Sequence, residues 1–133
     1  MDSPIDILAN PDAVIAVVGA SDNQHKYGAV IYRDLKRKGY TVYPVNPKRD
    51  TVDGDPTYPT VAELPVAPGI VNLVVPAEVG LKVVRQALDI GYDRIWVQPG
   101  AESPELLSVL QEAGADYVAH DCIMVQSRRF APG

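Results

Sequence analysis

The 133-residue chain is long enough for one domain and too short for two full ones. Its 12 Lys and Arg against 17 Asp and Glu leave a net charge of −5, which argues against a nucleic-acid or anionic-membrane partner, since both demand a basic face. Apolar residues make up 47 %, the share of an ordinary globular chain, and the longest apolar run, about eight residues from Ala13, falls far short of the roughly 20 that a membrane span needs.

The opening stretch from Met1 to Asp12 is acidic and lacks the basic start of a secretory signal. The single cysteine, Cys122, cannot close an internal disulfide, and this favours a reducing, cytoplasmic setting. A structural zinc site needs four ligands. Cys122, His25 and His120 are too few and too widely spread, so no metal is expected.

Ser3 and Pro4 read as N-cap and first residue of a short helix that Asn10 and Pro11 end. Ala13 to Val18 is apolar at every position, as in a central parallel strand buried on both faces. Gly19, Ala20 and Ser21 break that run. Tyr27 to Lys38 reads as a helix with Tyr27, Val30, Ile31 and Leu35 on its apolar stripe. Lys36, Arg37 and Lys38 complement its C-terminal dipole, and Gly39 takes the position after the cap. Thr41 to Val45 reads as a second strand, which Pro44 demotes or confines to its end.

Residues 48 to 69 read as an irregular stretch, with a short strand near Tyr58 and a helical turn near Ala62 to Leu64. The pattern then resumes. Ile70 to Val75 reads as a strand, Ala77 to Ile90 as a helix stopped by Gly91, and Arg94 to Gln98 as a strand carrying Trp96. Ser103 and Pro104 open a helix with the stripe Leu106, Leu107 and Leu110, and Asp116 to Ala119 is a last strand. Strands alternating with helices imply an α/β, Rossmann-like, doubly wound and mainly parallel five-stranded sheet with helices on both faces. Residues 1 to 133 are taken as a single domain.

Sheets of this kind bind ligands in the loops at the carboxyl ends of their strands. The first such loop runs from Gly19 to Gly28. Its glycines permit close backbone approach, and the helix that follows offers free N–H groups to a phosphate. The spacing matches neither the dinucleotide fingerprint nor the P-loop. On this reading, Gly19→Val blocks a pyrophosphate while leaving the sheet largely intact, with some loss of stability if Gly19 has φ > 0. His25 in the same loop is either a phosphate contact or a solvated side chain.

The second loop, Val45-Asn46-Pro47-Lys48-Arg49, lacks the carboxylate that grips the ribose of NAD. Two cations follow instead, which suit a phosphorylated ribose: NADP at its 2′ position or coenzyme A at its 3′ position. A hydride-transfer enzyme normally adds a substrate domain, for which little chain remains after Gly114, so NADP is the alternative reading. Ser21 is no nucleophile elbow, because the glycine after it is missing. His120 and Cys122 would lie on one face of an extended strand, but a working pair would need an orienting group and an oxyanion site as well.

Four segments together resemble a known family: Ala16 to Ser21, Gly39 to Pro47, Trp96 to Gly100, and Asp121 to Ile123. The chain is similar, from about Ala13 to about Val125, to the small CoA-binding domain family, free-standing relatives of the N-terminal domain of the succinyl-CoA synthetase α-subunit. The resemblance implies non-catalytic binding of coenzyme A or an acyl-CoA through its ADP-like end. Gly19, Ala20, Ser21, Lys26, Tyr27 and Gly28 would then cradle phosphate. Asn46, Pro47 and Lys48 would flank the adenosine end, with Lys48 near the 3′-phosphate. Val75 and Pro76 would pack on adenine or ribose, and Gln98, Pro99 and Gly100 would line the far rim.

Many relatives carry an aromatic and a basic residue before the proline of the third loop, where this chain has Val74 and Val75. The histidine-bearing second domain of the synthetase is not in this sequence, so ligase chemistry is not implied, although a CoA-binding subunit of a larger acyl-CoA synthetase is a further alternative. Cys122 follows the last strand on the ligand side, where under oxidising stress it could form a mixed disulfide with coenzyme A, by exchange with CoA disulfide. Whether a protein partner completes the domain is left open by the sequence.

Overall fold

The computed structural model describes residues 3–130; the first two and the last three residues of the sequence, including Met1 of the acidic opening, lie outside the described residues. Five parallel strands form one sheet: β1 (Val14–Val18), β2 (Thr41–Val45), β5 (Ile70–Leu73), β6 (Arg94–Val97) and β7 (Asp116–Ala119). Their spatial order is β2-β1-β5-β6-β7. The chain steps outward from β1 to β2, then returns across β1 to lay down β5. The order therefore reverses between β1 and β5, and a crevice opens where their loops part.

The alternation along each strand sorts the core into two layers. Ile15, Val17, Ile70 and Trp96 face α1 (Pro4–Leu8), α2 (Tyr27–Arg37) and α5 (Ile123–Ser127). Ala16, Val18, Val71, Leu73, Ile95 and Val97 face α3 (Ala77–Asp89) and α4 (Pro104–Glu112). This is the α/β, Rossmann-like sheet with helices on both faces that the sequence implies. Trp96 is fully buried, and its indole N–H donates to the Asp121 carbonyl at 2.9 Å, so the ring fills the core with its polar atom satisfied.

Ser3 and Ser103 cap α1 and α4 as their sequences predict, each hydroxyl accepting a backbone N–H three residues on, at 3.3 and 3.1 Å. Such caps contribute about 1 kcal/mol each. Pro44 lies inside β2, an edge strand. Its carbonyl faces away from β1 and accepts the Tyr58 N–H at 3.0 Å, so the missing N–H falls on the outer side.

The stripe of α2 differs from its sequence reading. Gly28, Ile31, Tyr32 and Leu35 are buried, whereas Tyr27 is 72 % and Val30 45 % exposed. The buried set is spaced i, i+3, i+4, i+7 from Gly28, the residue that meets the first loop. A glycine carries no hydrophobic signal, so the sequence reading rotated the face.

The irregular stretch contains a hairpin that its sequence did not suggest, β3 (Thr51–Val52) with β4 (Asp55–Pro56). The short strand read near Tyr58 is a single bridge to Val45, and the helical turn is a 3-10 turn at Val61–Glu63. The helix α5 was not read either. Lys38 holds it, donating to the Met124 carbonyl and the Ser127 hydroxyl, both at 2.8 Å, and to Asp34 at 2.6 Å. No helix among the described residues is long and apolar enough to cross a membrane.

Candidate functional site

The crevice between the diverging loops is a cleft of about 1320 Å³ at the carboxyl edge of the sheet. Its floor is made where β1 and β5 end. Gly19 has φ +98°, and a Cβ placed there would stand 2.3 Å from the Val74 carbonyl oxygen and 2.8 Å from Val75 Cγ1. A Cβ on Gly28 would stand 2.0 Å from the Gly19 carbonyl oxygen. These two glycines let the first loop, the start of α2 and the end of β5 lie backbone against backbone. The positive φ meets the condition under which Gly19→Val is expected to lose stability, and the Val74 carbonyl makes the loss larger than a sheet left largely intact: the glycine is demanded by the protein's own backbone.

The loop between them is shaped locally. The Ser21 hydroxyl accepts the Asn23 N–H at 3.0 Å, and the Asn23 side chain accepts the His25 N–H at 3.1 Å. These turns deliver the chain to Lys26, which opens α2 without a capping side chain. Pro76 likewise opens α3 without one. The two helices that begin at the cleft thus point uncapped N-termini toward it, whereas α1 and α4 are serine-capped. The first N–H of α5 is capped from across the sheet, by the Gln98 side-chain oxygen at 2.8 Å.

Gly19, Ser21, Lys26, Tyr27, Gly28, Asn46, Pro47, Lys48, Val75, Pro76, Gln98, Pro99, Gly100 and Cys122 all line this one cleft. Ala20 does not: it is fully buried in the core, and its carbonyl accepts the Asn46 side-chain amide at 2.9 Å. Asn46 is a staple between the first two loops, since its Oδ1 also accepts the Lys48 N–H at 2.9 Å. Gln98 is pinned at both ends of its amide. Besides capping α5, its Nε2 donates to Cys122 Sγ at 3.4 Å. It thus positions Cys122 at the far end of the cleft.

The sequence reading missed several walls. Val79, Val83 and Gln86 present one face of α3, and their i, i+4, i+7 spacing was a usable signal. Pro59, Thr60 and Val61 had none, because the Tyr58 bridge to β2 folds them over the rim. Arg49 also lines the cleft, beside Lys48.

Electrostatics set the cleft apart from the rest of the molecule. The chain is net negative, yet Lys26, Lys48 and Arg49 line the cleft and, among the described residues, no carboxylate does. His120 sits at the edge, outside the lining, in left-handed backbone at φ +67°, with Nδ1 3.8 Å from Glu102. The backbone N–H groups of Glu102 itself and of Gly100 hold the Glu102 carboxyl below the usual carboxylate range.

The comparisons agree with this geometry. Residues 13–128 match the family described as CoA binding domain. Over 120 residues the chain is 30 % identical to an ADP-forming acetate–CoA ligase I of Archaeoglobus fulgidus, covering 83 % of this chain and 18 % of that protein. It is 29 % identical to the α subunit of an ADP-forming acetate–CoA ligase II of Pyrococcus furiosus, over 92 % of this chain and 29 % of the subunit. The chain thus spans less than a third of these ligases.

A solved structure, a conserved hypothetical protein from Pyrococcus furiosus, superimposes with a TM-score of 0.82 at 43 % identity, covering 86 % of this chain and 98 % of that one. A cationic cleft at the switch point, on a parallel sheet of this order, is what a phosphate-rich nucleotide requires, and with the match over residues 13–128 the chain belongs to the CoA-binding domain family, similar to the CoA-binding part of ADP-forming acyl-CoA synthetases.

Proposed function

We propose that this chain is a single domain that binds coenzyme A or an acyl-CoA through its ADP-like end and does not itself transform the ligand. The observation that carries the reading is the charge of the cleft: three cations and, among the described residues, no carboxylate, in a chain of net charge −5. The pyrophosphate lies along the Gly19–Gly28 loop, on the uncapped start of α2. The phosphorylated ribose lies toward Lys48 and Arg49, and the adenine packs among Val75, Pro76 and Val79. The pantetheine arm runs toward Gln98, Pro99, Gly100 and Cys122. The Cys122 sulfur is held by an amide, which is no base, and this supports binding without acyl transfer.

Calorimetric titration with coenzyme A, NADP and NAD tests the reading. Coenzyme A is expected to bind tightest, and a clear preference for NADP overturns it. Lys48→Ala is expected to weaken coenzyme A binding by about 1–3 kcal/mol, the range of a charge-assisted hydrogen bond, and to leave dephospho-CoA binding unchanged.

The likeness to the two ligases favours a second reading, in which this domain supplies the CoA site of a larger acyl-CoA synthetase. Co-purification from native extract decides it. A stoichiometric partner of ligase type establishes that reading, and a chain that migrates alone removes it.

A further inference from the structure

Behind the cationic rim lies a network of exposed charges. Asp22 follows Ser21 in the first loop, next to the cleft but not on its lining. Its Oδ1 accepts the Asp53 backbone N–H at 2.8 Å, which ties the tip of the β3–β4 hairpin to the first loop. Arg33 of α2 reaches both Asp22, at 3.9 Å, and Asp53, at 3.6 Å. Lys36 donates to Asp53 at 3.1 Å and to Asp55 at 2.8 Å, and the Tyr32 hydroxyl donates to Asp55. One member belongs to both worlds. Arg49 lines the cleft, and its Nη1 stands 4.0 Å from Asp22 Oδ2.

Of the three contacts of Asp22, the one to the Asp53 N–H and the one to Arg49 differ in kind. The bond to the Asp53 N–H has hydrogen-bond geometry, whereas Arg49 stands beyond hydrogen-bond range, with both side chains more than a third exposed. A pair of that kind is held weakly and is screened by salt. A phosphate monoester offers a guanidinium a bidentate, doubly charged partner, which is stronger. Asp22 loses little when Arg49 leaves, because Arg33 and the Asp53 N–H still compensate it.

We propose that Asp22 competes with the ligand's ribose phosphate for Arg49, so that this carboxylate sets how strongly the cleft selects a phosphorylated over an unphosphorylated ribose. Asp22 is a specificity-setting positioning residue: it acts on the ligand through Arg49. The inference rests on the CoA reading above, which places the phosphorylated ribose beside Lys48 and Arg49. Arg49 turns between two anions, and the hairpin stays anchored while it does.

Asp22→Asn tests this, because an asparagine Oδ1 still accepts the Asp53 N–H while the charge is gone. Affinities for coenzyme A and dephospho-CoA are measured by calorimetry at fixed ionic strength for the parent, Asp22→Asn, Arg49→Ala and the double variant. A thermal melt of each confirms the fold. Asp22→Asn is expected to tighten coenzyme A binding about two- to fivefold, the scale of one exposed ion pair, and to change dephospho-CoA binding less than that. Arg49→Ala is expected to weaken coenzyme A about tenfold and to abolish the gain from Asp22→Asn in the double variant.

A gain that persists without Arg49 overturns the proposal, as does an Asp22→Asn variant that binds coenzyme A no tighter than the parent. A parent that binds coenzyme A but does not distinguish it from dephospho-CoA removes the proposal and leaves the CoA reading standing. A parent that binds neither removes both.

Discussion

The two sides of the cleft are built on opposite principles. On the first-loop side, Gly19 and Gly28 let three backbone segments meet with no room for a methyl group. On the second-loop side, Asn46 to Val61 is an annex bridged to the edge strand at Tyr58 and tied to α2 and the first loop by ion pairs between half-exposed side chains. The first side is fixed by sterics, which do not relax with solvent conditions. The second is held by the Tyr58 bridge, the Asn46 side chain and the buried Val52 and Val61, and it adds exposed ion pairs that respond to salt and pH. On the proposed reading, a floor that holds phosphate gains from rigidity, and a rim that selects among riboses gains from adjustable charge.

The sharpest way to break this contrast is Gly28→Ala. If the floor is steric, the added methyl must displace the Gly19 carbonyl, and stability should fall by about 3 kcal/mol or more, at the upper end of overpacking costs. A chemical-denaturation curve within about 1 kcal/mol of the parent would show that the floor can yield.

A pair of variants separates crowding from backbone strain. Gly19 and Gly39 share φ +98°, but a Cβ on Gly39 meets nothing within 4 Å. Gly39→Ala should cost only the left-handed penalty, about 1–2 kcal/mol, and Gly19→Ala distinctly more. Equal losses would assign the effect to φ alone.

The smallest effect is expected on the charged side. Asp55→Asn should cost less than about 1 kcal/mol near neutral pH. Its signature lies in acid. Hydrogen bonds from Lys36 and then Tyr32 hold the Asp55 carboxyl below its ordinary range. A depressed carboxyl contributes stability above its unfolded pKa, and that contribution is lost as pH falls through the folded value. Melting temperatures taken downward from about pH 5 should therefore fall less steeply for Asp55→Asn than for the parent. At the other extreme, burial and then the bond to Asp55 push the Tyr32 hydroxyl upward, so its contribution persists below its unfolded pKa, about 10, and is lost as pH rises through the folded value. Identical acid limbs in parent and variant would mean that the annex is not held by these charges.

Much of this was written along the chain. The apolar run before Gly19, the glycines after α2 and α3, the Ser-Pro helix starts and the alternation of strand with helix are local signals, and each reports a local energy: burial, left-handed backbone, a satisfied N–H. They specified the parallel sheet, and all but one of the residues expected to bind line one cleft at its carboxyl edge. Ala20 is the exception, because membership of a loop does not say which way a side chain points.

The tertiary structure alone decided the rest. Gly28 as a core position, the hairpin at 51–56, the fold-back of Pro59 to Val61 and the pairing of Asp22 with Arg49 all join residues far apart in the chain. Their energies arise between segments, from carbonyls that nearly touch and charges that meet across loops. Such terms exist only once the sheet has brought those segments together, so no window of the sequence contains them.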